Sequence, residues 1–140
     1  MSYTINELYV GQSSSFSKTI TESDVYLFAG ITGDFNPAHL NAEYAKNTAF
    51  QERIVHGMLS ASMISTILGT GLPGEGTIYT GQEIKFLSPV YFGDTITVTA
   101  EVKEIISERN RVILHTYAVN QDGKTVLDGE ATVMPPKTKQ

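Results

Sequence analysis

The chain predicts an α+β domain in which an antiparallel sheet wraps around one central buried helix. Three observations carry this. From His56 to Leu68, apolar residues fall at 58, 59, 61, 63, 64, 67 and 68, with only Gly, Ser and Thr between them. A helix this apolar on nearly every side is buried on most of its surface. After it come four strand-like segments between residues 77 and 134, separated by turn signals. The economical packing curls those strands around the helix, with an earlier helix and a loop at the rim.

A length of 140 residues predicts one domain over 1–140. Hydrophobic residues make up 41%, enough for a core without a metal or disulfide, and there is no Cys. That excludes disulfides, thiolate zinc sites and cysteine nucleophiles. The net charge is −5, and the 10 Lys and Arg are scattered apart from Lys137 and Lys139. A nucleic-acid partner needs a clustered basic face, so none is expected. The start lacks a basic region followed by an apolar run, and no segment approaches the roughly 20 apolar residues of a membrane span. The expectation is a soluble, cytoplasmic protein with no membrane partner.

The elements follow in order. Residues 3–19 read as an extended segment anchored by Tyr9, Val10, Phe16 and Ile20. Thr21 is a helix N-cap with Asp24 in the capping-box position, and Ile20 and Val25 flank the cap as a hydrophobic staple. Val25, Phe28, Ala29 and Thr32 keep helical spacing until Gly30 and Gly33 signal a stop. Asn41 caps a short helix through Ala42, Glu43, Tyr44 and Ala45, and residues 47–55 read as irregular. The central helix ends in the glycine-rich run from Gly69 to Gly74. Strands are predicted over 77–87, 94–102, 111–119 and 125–134. The second alternates Ile96, Val98, Ala100 and Val102 against Thr95, Thr97, Thr99 and Glu101. Turns fall near Glu108-Arg109-Asn110 and at Asp122-Gly123.

One loop carries the chemistry. Gly33-Asp34-Phe35-Asn36-Pro37-Ala38-His39 places a carboxylate and an imidazole five residues apart across an Asn-Pro break. Pro37 argues against a regular helix there, so the loop is read as a fixed bend that aims Asp34 and His39 at one point. Such a pair can move a proton on and off a small molecule.

Thr32-Gly33-Asp34-Phe35-Asn36-Pro37-Ala38-His39, then Ala42-Glu43-Tyr44-Ala45, then Ile54-Val55-His56-Gly57, resembles the MaoC-type hydratase family, most of all its stand-alone (R)-specific enoyl-CoA hydratases. The resemblance extends through Gln82-Glu83-Ile84-Lys85-Phe86-Leu87-Ser88-Pro89-Val90 and Gly93-Asp94 and so covers nearly the whole chain. It implies a hot-dog fold, a homodimer, and hydration of trans-2-enoyl-CoA to (R)-3-hydroxyacyl-CoA. The pathway would be fatty-acyl metabolism or the supply of polyhydroxyalkanoate (polyester) synthesis. Coenzyme A would be part of the substrate, and no further cofactor or metal is expected.

That chemistry needs a base, an acid and a donor to the thioester oxygen. His39 and Asp34 are the candidate acid–base pair, with the division of roles open. The oxyanion donor is expected to be a backbone N–H at the start of the central helix, where Gly57 leaves room. Asn36 is expected to hold the loop beside the substrate, and Ser60, one turn after Gly57, to line the site. Blander readings compete. Asp34 and His39 could clamp a structural loop, and with His56 they could ligate a metal, although the spacing matches no common site. His56 is read as a helix-entrance or dimer-contact residue and His115 as structural. Two other functions are weighed. One is a hot-dog acyl-CoA thioesterase, against which stands the lack of a carboxylate between His56 and Leu68. The other is a non-catalytic acyl-thioester binding module, which would not need Asp34 and His39 together.

Overall fold

The structure is a computed structural model that describes residues 1–139. Strands β1 (Ser13–Thr19), β2 (Ile78–Phe86), β3 (Thr95–Ile106), β4 (Arg111–Val119) and β5 (Thr125–Met134) form one antiparallel sheet in the order β1-β3-β4-β5-β2. Helix α1 is Glu22–Thr32, two single turns follow as α2 (Pro37–Leu40) and α3 (Ala42–Ala45), and α4 is Gly57–Thr70. The expected curl of the sheet around one apolar helix is observed. Ile64, Ile67 and Leu68 of α4 are buried with Ile96, Val98, Val102, Leu114, Leu127 and Val133 of the sheet. Fully burying one such side chain is worth about 1.5–3 kcal/mol, so α4 is held by packing and not by its Ser- and Gly-containing sequence.

The α1 start forms as its sequence predicts. The Thr21 hydroxyl accepts from the Asp24 N–H at 3.2 Å, and the Asp24 carboxylate accepts from the Thr21 N–H at 2.9 Å. That second bond is the main reason the Asp24 carboxyl sits below its ordinary range. Gly33 ends the helix in the left-handed region at φ 80°.

Five expectations are adjusted. Residues 3–19 are not continuously extended: a 3₁₀ turn at Ile5–Glu7 precedes β1. Of the four apolar anchors there, Tyr9, Val10 and Phe16 are exposed and only Ile20 is buried. Phe16 faces inward opposite the buried Val98, but β1 is an edge strand and has a neighbour on one side only. Helix α4 continues past Gly69 and stops at Gly71, because one glycine costs a helix only about 1 kcal/mol. Strand β3 runs four residues beyond Val102, through a register shift between Val102 and Glu104 that breaks the alternation on which the sequence reading relied. Finally, Pro37 does not bar a helix. It sits at N1 of α2, where its missing N–H costs nothing and its fixed φ suits the turn.

Candidate active site

Asp34 lies between α1 and α2, His39 lies on α2, and both face the N-terminal end of α4. Asn36 makes this bend: its side-chain oxygen accepts from the Ala38 N–H at 3.0 Å, capping α2. The Asn36 N–H in turn donates to the Asp34 carboxylate at 3.1 Å, and the Asp34 N–H donates to the Thr32 hydroxyl at 3.2 Å. Asn36 thus shapes the loop as expected and is not among the residues that line the adjoining cavity.

The imidazole of His39 is fixed in one tautomer. Its Nδ1 lies 2.7 Å from the Ile54 carbonyl, which can only accept, so Nδ1 carries the hydrogen and Nε2 is left as a lone pair. The carbonyl is itself pinned. The Ile54 N–H donates to the Ala38 carbonyl at 3.1 Å, and Ile54 forms an isolated bridge with Tyr91. The irregular stretch 47–55 therefore has a purpose that its sequence hid: it delivers a backbone acceptor to the His39 ring.

A ligand atom from each of Asp34, His39 and His56 falls within 4.8 Å of the others. One water can touch an oxygen and a nitrogen at that separation, since two hydrogen bonds of about 2.8 Å each span it. The same three groups make a poor tetrahedral metal site. Zinc ligands stand about 3.3–3.5 Å from one another, and Nε2 of His56 already donates to the Asp34 carbonyl at 3.0 Å.

A cavity of about 480 Å³ opens beside the pair, lined by Asp34, His39, His56, Gly57, Ser60 and a mainly apolar wall that includes Met58, Phe86 and Leu87. At its floor begins α4. The first intrahelical bonds run from Leu59 and Ser60 to the His56 carbonyl, so the N–H groups of Gly57 and Met58 precede them and remain available. A Cβ built on Gly57 would stand 2.9 Å from the Phe86 ring, so glycine here lets Phe86 close over the helix start. The sequence placed Gly57 at the oxyanion-donating helix start, with room for the thioester, but did not name Phe86 as its neighbour. Ser60 is buried, and its hydroxyl has no hydrogen-bond partner among the described residues, unlike that of Ser62, which bonds back to the Met58 carbonyl at 2.6 Å. Ser60 is thus a donor held free at the wall of the cavity.

His56 was placed by sequence at the helix entrance, and it is the N-cap residue of α4. It is also 2% exposed and stacks on the His39 ring, with centroids 3.9 Å apart and planes at 29°. That stack was not legible in sequence, because residues 39 and 56 are brought together only by the fold. His115 is far from this cluster, on the outer face of the sheet, where its Nε2 meets Asp128 at 3.0 Å.

A curled antiparallel sheet around a buried helix, with an acid–base pair at the helix start, defines the hot-dog fold of the hydratase class. Residues 7–123 match the model of the MaoC like domain, and the chain belongs to that family. Its relatives include an (R)-specific enoyl-CoA hydratase of Rhodospirillum rubrum, 54% identical over 126 residues that span 90% of this chain and 87% of the relative. The unliganded R-hydratase of Pseudomonas aeruginosa superposes with a TM-score of 0.93 at 49% identity, covering 98% of this chain and 88% of that one. The (R)-hydratase of Aeromonas caviae, described as involved in PHA biosynthesis, superposes with a TM-score of 0.90 at 43% identity, covering 92% and 98%.

Proposed function

We propose that this protein is a hydro-lyase that adds water, reversibly and with syn geometry, to trans-2-enoyl-CoA to give (R)-3-hydroxyacyl-CoA. One observation carries the reading. The Ile54 carbonyl takes the Nδ1 hydrogen of His39 at 2.7 Å, which leaves Nε2 as the ring's lone pair, and a nitrogen of this ring lies within 4.8 Å of an Asp34 oxygen beside a mainly apolar cavity. A water held by both groups loses a proton to Nε2 as its oxygen attacks the β-carbon. The proton taken up by Nε2 is returned by the pair to the α-carbon on the same face, so that His39 and Asp34 end the addition as they began it. Charge that builds on the thioester oxygen meets the N–H of Gly57 at the positive end of the α4 dipole. Asn36 keeps Asp34 in place, and Ser60 offers a hydroxyl to the bound thioester. Coenzyme A arrives as part of the substrate, and the chemistry needs no metal or prosthetic group.

The partner in this reading is a second copy of the chain. Edge strand β2 and the residue after it expose Ile78, Tyr79, Phe86 and Leu87, and Met58 beside them is 60% exposed. A row of apolar side chains on an open strand edge next to a site is the kind of surface a homodimer covers. No helix among the described residues is long and apolar enough to cross a membrane. Action in the cytoplasm fits a cysteine-free chain, and supply of hydroxyacyl-CoA to polyester synthesis is the pathway we favour.

The test is a crotonyl-CoA assay read two ways. Loss of enoyl absorbance without free thiol, with (R)-3-hydroxybutyryl-CoA as product, is the expected result. Release of free thiol without hydration would replace the reading with a thioesterase.

A further inference from the structure

The buried ring of His56 has no assigned part in the reaction, yet it meets both Asp34 and His39 at the start of α4. Its Nε2 lies 3.0 Å from the Asp34 carbonyl and 4.0 Å from the Asp34 carboxylate oxygen Oδ2. A carbonyl only accepts, so Nε2 carries the hydrogen, and Nδ1 is a bare lone pair, buried and without a hydrogen-bond partner among the described residues. One face of the ring lies against His39 at 3.9 Å, and Phe28 packs at a tilt, with centroids 5.0 Å apart. The backbone of the same residue is the N-cap of α4, and its carbonyl receives the Leu59 N–H at 3.0 Å. The next residue is Gly57.

We propose that His56 is a positioning residue that registers the acid–base pair to the oxyanion donor. Its Nε2–H holds the backbone of Asp34, its face sets the plane of the His39 ring, and its main chain is the first link of the helix that presents the Gly57 N–H. Without it, Asp34 and His39 would reach α4 only indirectly, through the Ile54 carbonyl two residues before the helix cap. The proton would then be moved by groups only loosely registered to the carbon that needs it. Misplacement of reacting groups by about 1 Å can cost on the order of 10²-fold in rate, so a ring that moves no proton itself can still govern turnover. A histidine suits this better than another residue, because it joins a flat stacking face to a single donor. Phenylalanine has only the face and glutamine only the donor.

This inference rests on the hydratase reading for its kinetic arm alone. His56→Phe keeps the ring and loses the donor, and His56→Gln keeps a donor and loses the stack. With both variants natively folded by CD at the assay temperature, kcat for crotonyl-CoA in His56→Phe is expected to fall about 10–100-fold, while KM stays within about twofold. His56→Gln should recover part of that loss. If the ring merely fills space, His56→Phe is the benign variant, and a kcat within about threefold of wild type would overturn the proposal. A second measurement uses the wild-type protein and no substrate. Imidazole ¹⁵N spectra should show hydrogen on Nε2 of His56 and on Nδ1 of His39. Hydrogen on Nδ1 of His56 would sink the proposal even if neither variant folds. Should the wild-type protein fail to hydrate crotonyl-CoA, the proposed function falls, while the spectra still decide whether the clamp exists.

Discussion

Two places in this molecule bring an aspartate and a histidine together, and only one is built like an active site. On the outer face of the sheet, His115 and Asp128 meet directly at 3.0 Å, with side chains 40% and 47% exposed. Around them lies a hollow of about 620 Å³, larger than the cavity beside Asp34 and His39, and lined by Glu83, Lys85, Glu101, Lys103 and Glu130. There the imidazole spends its Nε2 on the carboxylate, and water reaches both groups. At the rim of α4, by contrast, His39 is 9% exposed, its Nδ1 is held by a backbone carbonyl, and its Nε2 is left for a ligand. Proximity of acid and base therefore does not mark a site, and neither does the size of the hollow. What marks it is a fixed tautomer, an unspent lone pair, a mainly apolar wall and a backbone donor nearby.

Mutation can break this contrast or sharpen it. The largest effect belongs to Asp34→Ala and His39→Ala, each expected to lower kcat for enoyl-CoA hydration about 10²–10⁴-fold. Near-normal turnover in either would place the loop on the same footing as the sheet pair. Gly57→Val comes next, at about 10²-fold in kcat, because its side chain must displace Phe86 from 2.9 Å and crowd the oxyanion donor. CD should show a retained fold, which separates a blocked site from a damaged one. The smallest effect is expected at the sheet. His115→Ala and Asp128→Ala should leave kcat and KM within about twofold of wild type and change unfolding free energy by no more than about 1 kcal/mol, as exposed pairs do. A large kinetic loss in either would mean that the outer face takes part in catalysis.

Much of this was readable in the chain. The Thr21–Asp24 capping box, the N-cap at Asn41, the turn at Asp122-Gly123 and the inward row Ile96, Val98, Ala100 and Val102 are local or strictly periodic signals, and each forms as read. The misses have equally physical causes. The bulge after Val102 hid the end of β3 by interrupting a period-two pattern. Exposure of Phe16 reflects its place on the edge strand β1, which hydrophobicity alone does not encode. Asp34, His39, Gly57 and Ser60 were legible as residues, yet the free hydroxyl of Ser60 and the contact of Gly57 with Phe86 were not.

By itself, then, the sequence determined the long helices and the four strands after them, which helix must be buried, and which side chains could move a proton, since capping, periodicity and side-chain chemistry act over a few neighbouring residues. Only the tertiary structure decided which nitrogen of His39 is free, that His56 lies flat against it, and that the Asp128–His115 pair stands apart. Those facts depend on contacts between residues far apart in the chain: Ile54 with His39, Asp34 with His56, and Phe86 with Gly57. A hydrogen bond or a ring stack acts over about 3–4 Å, and which distant groups come that close is fixed only when the sheet has closed around the helix.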